Sequence, residues 1–380
     1  MLAAALGVVA SCLVVLSART RAMMALSVGA REYGHWLGAA NLFLGVRSPS
    51  TRSAVSRTVR LLNLLLGLVL LVPALWARAL SDDLGRKSAK AFENVARAPG
   101  SEPFRLSRLF RPLPERAQCI KKSTLVYGET TGYQLKLDLY ADERNVSPVP
   151  CVVVVPGGSW QRSDRCKFTA LNLYLASRGY SVAVVEYRTA PEFRFLAALE
   201  DVRRALAYLK ENAANLGVDP GRFVLLGRSA GAQLALLEAY ASEDESIRGV
   251  ISFYGPTDLP YAYAHPADPR VANIRRLLED YLGGSPDERD EAYREASPLN
   301  LASPYSPPTL LLHGSRDDMV QLVHSERLAS RLEELSVPHL LVRLPWATHG
   351  FDHNLRGPGG QLSTYAVESF LAAVAGRNAP

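Results

Sequence analysis

The sequence predicts an α/β fold with a mostly parallel sheet and helices on both faces, plus an N-terminal hydrophobic helical region. Short, continuous apolar runs such as 152–155, 223–226 and 309–312 alternate with longer segments of helical periodicity. Continuous apolar strands indicate a sheet that is covered on both faces, and their alternation with helices indicates parallel strands. Two uncharged apolar runs before residue 80 indicate the additional helical region.

The predicted elements follow one another in a regular order. A hairpin is predicted at 125–127 and 133–140, because these residues alternate at period two on either side of a glycine-containing turn. Six buried strands follow, at 152–155, 181–185, 223–226, 250–253, 309–312 and 340–342. Helices are predicted at 168–177, 193–212, 232–240, 268–282, 323–335 and 363–375. A small cap around 260–297 is expected over the substrate pocket, because this is the longest departure from tight connections.

The pentapeptide Gly227-Arg228-Ser229-Ala230-Gly231 joins a predicted strand directly to a predicted helix. A strand that breaks into Gly-x-Ser-x-Gly and continues as a helix is typical of a nucleophile elbow. The turn is so sharp that the residues two before and two after the serine must lack a side chain. The pattern predicts Ser229 as a nucleophile and the amide of Ala230 as an oxyanion donor.

A serine hydroxyl needs a histidine to accept its proton and a carboxylate to orient that histidine. Asp317 and Asp318 follow the strand at 309–312, and His349 follows the strand at 340–342. Because the carboxyl ends of parallel strands share one edge of the sheet, these side chains are expected to meet Ser229 there. The residues alone leave both aspartates open as the catalytic acid.

Two further segments are predicted to complete this site. The strand at 152–155 opens into a glycine turn, where the amides of Gly158 and Ser159 are expected to supply the other oxyanion donors. Trp160 and Tyr254, close to this turn and to a strand end, are expected to form walls of the substrate pocket.

With these motifs, the region from Ser123 to Ala375 resembles the α/β-hydrolase superfamily, specifically carboxylesterases of the hormone-sensitive-lipase-like and acetyl/feruloyl-esterase-like groups. Glu186-Tyr-Arg-Thr-Ala-Pro191 looks like that group's Asp-Tyr-Arg-Leu-Ala-Pro. The family's His-Gly-x-x-Asp-x-x-Val falls on His313-Gly-Ser-Arg-Asp317-Asp-Met-Val320, so the resemblance implies Asp317 as the acid. It also implies a serine carboxylesterase with an α/β-hydrolase fold and an acyl-enzyme intermediate, without metal or other cofactor.

The chain departs from this pattern in two places. The family's His-Gly-Gly-Gly reads Pro156-Gly-Gly-Ser159 here, and Arg228 is an unusual residue before the nucleophile. The chain is also similar to prenylcysteine methylesterases, which have membrane-embedded N-termini. Lipid or prenylcysteine esters therefore stay open as substrates. A serine peptidase of the prolyl-oligopeptidase type and a non-catalytic membrane-anchored binding module also stay open as functions.

The charge of the chain is divided unevenly along its length. Residues 1–122 hold 18 Lys and Arg against 6 Asp and Glu, whereas the rest holds 25 against 31. A folded domain without a basic excess argues against nucleic acid as a partner. Seven arginines and one acid, Glu32, separate the apolar runs 2–17 and 61–77, which are the two candidate transmembrane segments.

This asymmetry predicts a cytoplasmic connection between two spans and a catalytic domain outside the cytoplasmic membrane. Trp36 and Trp76 would suit the membrane interface. The expected organisation is a membrane-associated region at 1–80, a basic tether at 81–122 and a catalytic domain at 123–380. The expected partners are a small-molecule or lipid ester and the membrane.

Overall fold

A computed structural model describes residues 2–47, 53–92, 102–111, 119–130, 132–145 and 147–376. Its centre is an eight-stranded sheet with the order β1-β2-β4-β3-β5-β6-β7-β8. β1 pairs with β2 and β2 pairs with β4 in antiparallel register, and all other pairs are parallel. The strands are β1 Ile120–Thr130, β2 Tyr133–Asp142, β3 Val149–Val155, β4 Ser181–Val185, β5 Val218–Arg228, β6 Ile247–Phe253, β7 Thr309–Gly314 and β8 His339–Leu344.

Alternate residues of the central strands serve two separate cores, one on each face of the sheet. In β3, Val152 and Val154 belong to one buried cluster, whereas Val153 and Val155 belong to the other. This division follows from the period of two in a strand. The helices of the catalytic region are α4 Thr169–Ala176, α5 Ala197–Glu211, α6 Ala213–Leu216, α7 Ala230–Ala241, α8 Leu259–Ala264, α9 Ile274–Leu282, α10 Pro286–Glu295, α11 Pro298–Leu301, α12 Val323–Glu334 and α13 Pro358–Val374. The predicted α/β fold with a mostly parallel sheet is confirmed.

Helices α8 to α11 occupy the region where the sequence predicts a cap. Leu259, Leu278 and Tyr281 of α8 and α9 join one buried cluster with Trp160 and Ala230. The cap helices therefore pack directly on the carboxyl edge of the sheet, beside the end of β5.

Three long N-terminal helices form a layer of their own: α1 Leu2–Val15, α2 Arg21–Arg47 and α3 Ala54–Ala91. Glycines allow α2 and α3 to approach closely, since a Cβ on Gly38 would lie 3.2 Å from the Gly67 carbonyl oxygen. Among the described residues, α3 is the one helix that is long and apolar enough to cross a membrane. The first predicted span contains only the 14 residues of α1.

The structure differs from the predicted tether. Ser81–Ala91 continues α3, whose Ala74, Ala77 and Leu84 pack in the same buried cluster as β8 and α13. Phe104 and Leu109 are buried in that cluster as well. Residues 93–101 and 112–118 of the expected tether lie outside the described residues. Burial of apolar side chains thus ties much of this basic stretch to the catalytic region.

The structure also contradicts the expected separation of the arginine-rich connection from the catalytic domain. Arg21 N donates to the Arg270 carbonyl oxygen at 3.1 Å. Glu32 is fully buried, and its carboxylate accepts hydrogen bonds from Gly359 N at 3.0 Å and from Trp346 Nε1 at 3.4 Å. Gly359 lies in the first turn of α13, where the backbone amides have no partner within the helix. The start of α2 therefore lies against the catalytic domain.

Candidate active site

Ser229 lies on the sharp turn between β5 and α7, with φ 53° and ψ −124°. Positive φ is uncommon for a residue with a side chain and marks local strain. A Cβ on Gly227 would clash with the backbone of Ala232, and a Cβ on Gly231 would clash with the Val155 carbonyl oxygen. The two glycines are thus required by close backbone packing, as the elbow pattern predicts.

His349 bridges Ser229 and Asp317. Its Nδ1 lies 2.8 Å from Asp317 Oδ2, and its Nε2 lies 3.1 Å from Ser229 Oγ. Because a carboxylate can only accept hydrogen bonds, Nδ1–H donates to Asp317. Nε2 is then free of a proton and accepts a hydrogen bond from the serine hydroxyl. The three side chains follow β5, β7 and β8, whose carboxyl ends lie at the same edge of the sheet.

Asp317 is buried and surrounded by donors. Its Oδ1 accepts from Met319 N at 2.9 Å and from Val320 N at 2.8 Å. Burial acts to raise the pKa of the Asp317 carboxyl, but the imidazoles of His349 and His313 together hold that pKa well below its ordinary value. Asp317 is therefore a stable anion beside the imidazole.

Asp318, the other candidate acid, and His313 of the same motif have different partners. Asp318 Oδ2 accepts a hydrogen bond from Ala18 N at 2.7 Å, which directs it to the N-terminal layer. His313 Nε2 donates to the Val320 carbonyl oxygen at 2.9 Å and braces the loop that carries Asp317.

The glycine turn after β3 packs against the elbow. A Cβ on Gly157 would lie 2.6 Å from the Arg228 carbonyl oxygen. A Cβ on Gly158 would clash with the Arg162 carbonyl oxygen. Within the described part of the chain, no residue accepts a hydrogen bond from the N–H groups of Gly158, Ser159 or Ala230. Ala230 is also the first residue of α7, so its amide lies at the positive end of a helix dipole.

A narrow cavity adjoins Ser229 under the cap helices. Its wall is mainly apolar and includes Trp160, Ala262, Ile274, Leu277, Leu278, Met319 and Val320. Trp160 stacks on Tyr281 at a centroid distance of 4.6 Å and donates from Nε1 to Gln233 Oε1 at 2.9 Å. These contacts hold the indole of Trp160 rigidly at the cavity.

Tyr254 lies outside this cavity, contrary to the prediction that it forms a pocket wall. Its ring packs against the His349 imidazole at a centroid distance of 4.4 Å, and its hydroxyl donates to Asp352 Oδ1 at 2.6 Å. Burial raises the pKa of the Tyr254 phenol well above its ordinary value, so the phenol stays protonated and keeps this donor. The Tyr254 ring therefore helps to hold the His349 imidazole in place.

Sequence reasoning missed Asp352, which also pairs with Arg228. Arg228 Nε donates to Asp352 Oδ2 at 2.6 Å, and both side chains are buried. The signal was present in the sequence, because an arginine at the end of a buried strand requires a buried counter-charge. No local pattern could show which acid supplies it.

The chain is similar to known ester hydrolases. Residues 137–332 match the BD-FAE family model. Esterase LipC of Mycobacterium tuberculosis is 28% identical over 288 residues, which cover 69% of this chain and 70% of that protein. Isoprenylcysteine alpha-carbonyl methylesterase ICME of Arabidopsis thaliana is 27% identical over 253 residues, 60% of this chain and 56% of that protein. A solved bacterial heroin esterase shares the fold with a TM-score of 0.58 and 23% identity, over 69% of this chain and 86% of that one.

Proposed function

The chain belongs to the BD-FAE family and is a carboxylic ester hydrolase, and on this premise we propose that Ser229 is its nucleophile, His349 its general base and Asp317 the acid that orients the histidine. The predicted resemblance to esterases of the α/β-hydrolase type is confirmed by the same comparisons. The observation that carries the proposal is the continuous chain of hydrogen bonds from Asp317 through His349 to Ser229, at 2.8 and 3.1 Å.

The proposed reaction proceeds in two halves. Ser229 Oγ attacks the ester carbonyl carbon while His349 Nε2 accepts the hydroxyl proton. The imidazolium that forms is stabilised by the Asp317 carboxylate and then protonates the leaving alcohol, which breaks the ester bond. Water, activated by the same histidine, hydrolyses the acyl-enzyme and restores the serine.

The negative charge on the carbonyl oxygen needs donors that are already in place. The N–H groups of Gly158, Ser159 and Ala230 have no other acceptor among the described residues, and Ser159 and Ala230 line the same cavity as Ser229. We assign these amides to the oxyanion hole. The loss of one such donor typically costs about 3–4 kcal/mol of transition-state stabilisation.

The apolar cavity under the cap supports an ester with an apolar group. Trp160, Leu277 and Leu278 offer no charged partner to such a group. Esters of lipids or of prenylcysteine remain the second candidate substrates, and two observations favour them: the similarity to the Arabidopsis methylesterase and the apolar helix α3.

We further propose that the N-terminal layer, residues 2–92, associates with a membrane and that the catalytic domain lies outside the cytoplasm. The end of the layer that lies away from the catalytic domain carries Arg47, Arg57 and Arg60. Arginines accumulate on the cytoplasmic side of membrane proteins. The catalytic end of the layer also carries exposed arginines, Arg19, Arg21 and Arg78. The orientation is supported by the acids instead: Asp82 and Asp83 offset the arginines at the catalytic end, with Arg78 paired to Asp82, whereas no acid occurs between 33 and 81 to offset the far end.

A fluorophosphonate probe tests the proposed nucleophile. The full chain in detergent is expected to be labelled at Ser229 and to hydrolyse p-nitrophenyl butyrate, and Ser229→Ala is expected to lose both properties while it remains folded. Ser315→Ala, at an exposed serine near the acid loop, is the matched control and should keep both. Labelling or hydrolysis that survives in Ser229→Ala would refute the assignment.

A further inference from the structure

The exposed apolar surface of this chain is concentrated in one place. Of the 22 large apolar side chains that are exposed among the described residues, 17 lie in α1, α2, α3 or the turn between α1 and α2. In contrast, the polar side chains Arg31, Glu32 and Asn41 of α2 are buried inside the protein. Exposed apolar surface on this scale marks an interaction surface.

Arginines border this surface at both ends. No charged residue occurs between Arg60 and Arg78 of α3 or between 37 and 46 of α2. At about 1.5 Å per residue, the uncharged part of α3, residues 61–77, rises roughly 26 Å, close to the roughly 30 Å of a bilayer's hydrocarbon core. At its catalytic end Ala74 and Ala77 pack in the buried cluster of the catalytic region, whereas the intervening Leu75 and Trp76 stay exposed. The uncharged length of α3 matches a hydrocarbon layer, and the arginines at its two ends match the anionic headgroups on either side of that layer.

Two of the exposed apolar side chains of the layer are tryptophans. Trp76 is 48% exposed and precedes Arg78 by two residues, and Trp36 is 54% exposed and packs edge-on against Phe110 at 4.9 Å. Tryptophan is enriched at the level of the headgroups. Trp76 therefore indicates where the bilayer ends along α3, and Trp36 lies nearer the middle of the layer, because Gly34 and Gly38 on either side of it pack against Leu70 of α3.

The catalytic end of the layer is fastened to the edge of the catalytic cavity. Arg316 Nη1 donates to the Val15 carbonyl oxygen at 2.8 Å, and Ala18 N donates to Asp318. Asp318 directly precedes Met319, which lines the cavity beside Ser229. The side chain of Leu16, in the turn between α1 and α2, is exposed at this edge.

We propose that the apolar face of α1 to α3 is embedded in a lipid bilayer and that the docked α1–α2 turn holds the edge of the catalytic cavity at the bilayer surface, so that the substrates are apolar esters dissolved in the membrane. The proposal rests on the proposed esterase function and deepens it, because it names where the substrate comes from. An apolar ester can then pass from the acyl chains along Leu16 to the apolar cavity wall at Met319.

Lipid quenching of tryptophan fluorescence tests the embedded face. The full chain is reconstituted in vesicles of phosphatidylcholine and phosphatidylglycerol whose acyl chains are brominated near the headgroup or near the methyl end. Trp36 and Trp76 are both expected to be quenched, Trp76 more strongly by the shallow bromines than by the deep ones. The double variant Trp36→Phe/Trp76→Phe retains the buried Trp160 and Trp346 and should be quenched little. Equal fluorescence with and without bromine, or a lipid-free dimer that shields both tryptophans, would overturn the proposal.

Membrane-resident and soluble substrates test the position of the cavity. Leu16→Asp is expected to lower the hydrolysis of p-nitrophenyl palmitate in vesicles several-fold and to leave that of p-nitrophenyl butyrate unchanged. Val126→Asp is the matched control, because Val126 is also exposed but lies on β1 at the opposite edge of the sheet from β8, and should alter neither rate. Equal loss on both esters, or loss on neither, would contradict the proposed route. Failure of the wild type to hydrolyse butyrate would instead contradict the esterase proposal, while the quenching result would still stand.

Discussion

Arg228 and Asp352 form a buried ion pair that joins the turn carrying Ser229 to the loop carrying His349, the proposed general base. Their side chains are 3% and 1% exposed, and Nε and Oδ2 lie 2.6 Å apart. Arg228 directly precedes Ser229, and Asp352 follows His349 by three residues. Since the Tyr254 hydroxyl also donates to Asp352, a single carboxylate fixes both the elbow and the ring behind the imidazole.

Removing one member of this pair should destabilise the protein strongly. Arg228→Met leaves the Asp352 carboxylate buried without its charge partner, a change that typically costs about 3–5 kcal/mol. The free energy of unfolding, measured by urea denaturation in detergent, is expected to fall by an amount in that range. The double variant Arg228→Met/Asp352→Asn should lose less than the two single variants together. Strict additivity would show that the two side chains are not coupled.

The two adjacent aspartates should differ sharply in their effect on catalysis. Asp317→Asn is expected to lower kcat by up to about 10⁴-fold, by the precedent of serine proteases, because the amide no longer imposes the correct histidine tautomer. Asp318→Asn is the matched control and should change kcat little, since Asp318 faces Ala18. Steady-state kinetics on p-nitrophenyl butyrate would measure both, and a greater loss in Asp318→Asn would transfer the role of the acid to that residue.

The depressed pKa of Asp317 predicts a pH-dependent contribution to stability. In the unfolded chain an aspartate titrates near about pH 3.9, and in the folded protein Asp317 titrates below that value. Its contribution is therefore fully present above about pH 4 and is lost as the pH falls through the folded-state pKa. The difference in Tm between wild type and Asp317→Asn should be larger at pH 6 than at pH 3. A difference that does not change with pH would contradict this assignment.

Trp160 and Tyr254 should have separable effects on substrate preference. Trp160→Ala enlarges the cavity that the indole lines and is expected to shift the preference among p-nitrophenyl esters toward longer or bulkier acyl chains. Tyr254→Phe should keep the wild-type chain-length preference, because Tyr254 lies behind the histidine and not in the cavity wall. An altered preference in Tyr254→Phe alone would place the tyrosine, and not the tryptophan, at the substrate.

A reporter fused after Pro380 measures the orientation of the catalytic domain. We expect alkaline phosphatase to be active there, because Arg47, Arg57 and Arg60 lie at the opposite end of the layer and favour the cytoplasm. Arg47→Glu/Arg57→Glu/Arg60→Glu weakens that bias and is expected to lower the activity of the fusion. A fusion that is active only as a cytoplasmic reporter would reverse the orientation.

Local sequence patterns determined most of the catalytic region. The strand at Ser181–Val185 and the helix that starts after Ser229 follow from an uninterrupted apolar run and from a glycine-bounded turn. Both signals depend only on neighbouring residues, because the period of a strand or helix determines which of these residues are buried. The order of Ser229, Asp317 and His349 after successive strands was equally clear, because the edge of a parallel sheet gathers such residues.

Tertiary structure alone decided the long-range pairings. Sequence patterns marked Arg228 as unusual and Glu32 as an isolated acid, but not that Arg228 pairs with Asp352 or that Glu32 caps the start of α13. They also placed Tyr254 in the pocket and the start of α2 away from the catalytic domain. A buried polar group needs a hydrogen-bond partner, yet the partner here lies 124 or 327 residues away, and only the packing of whole elements brings such partners together.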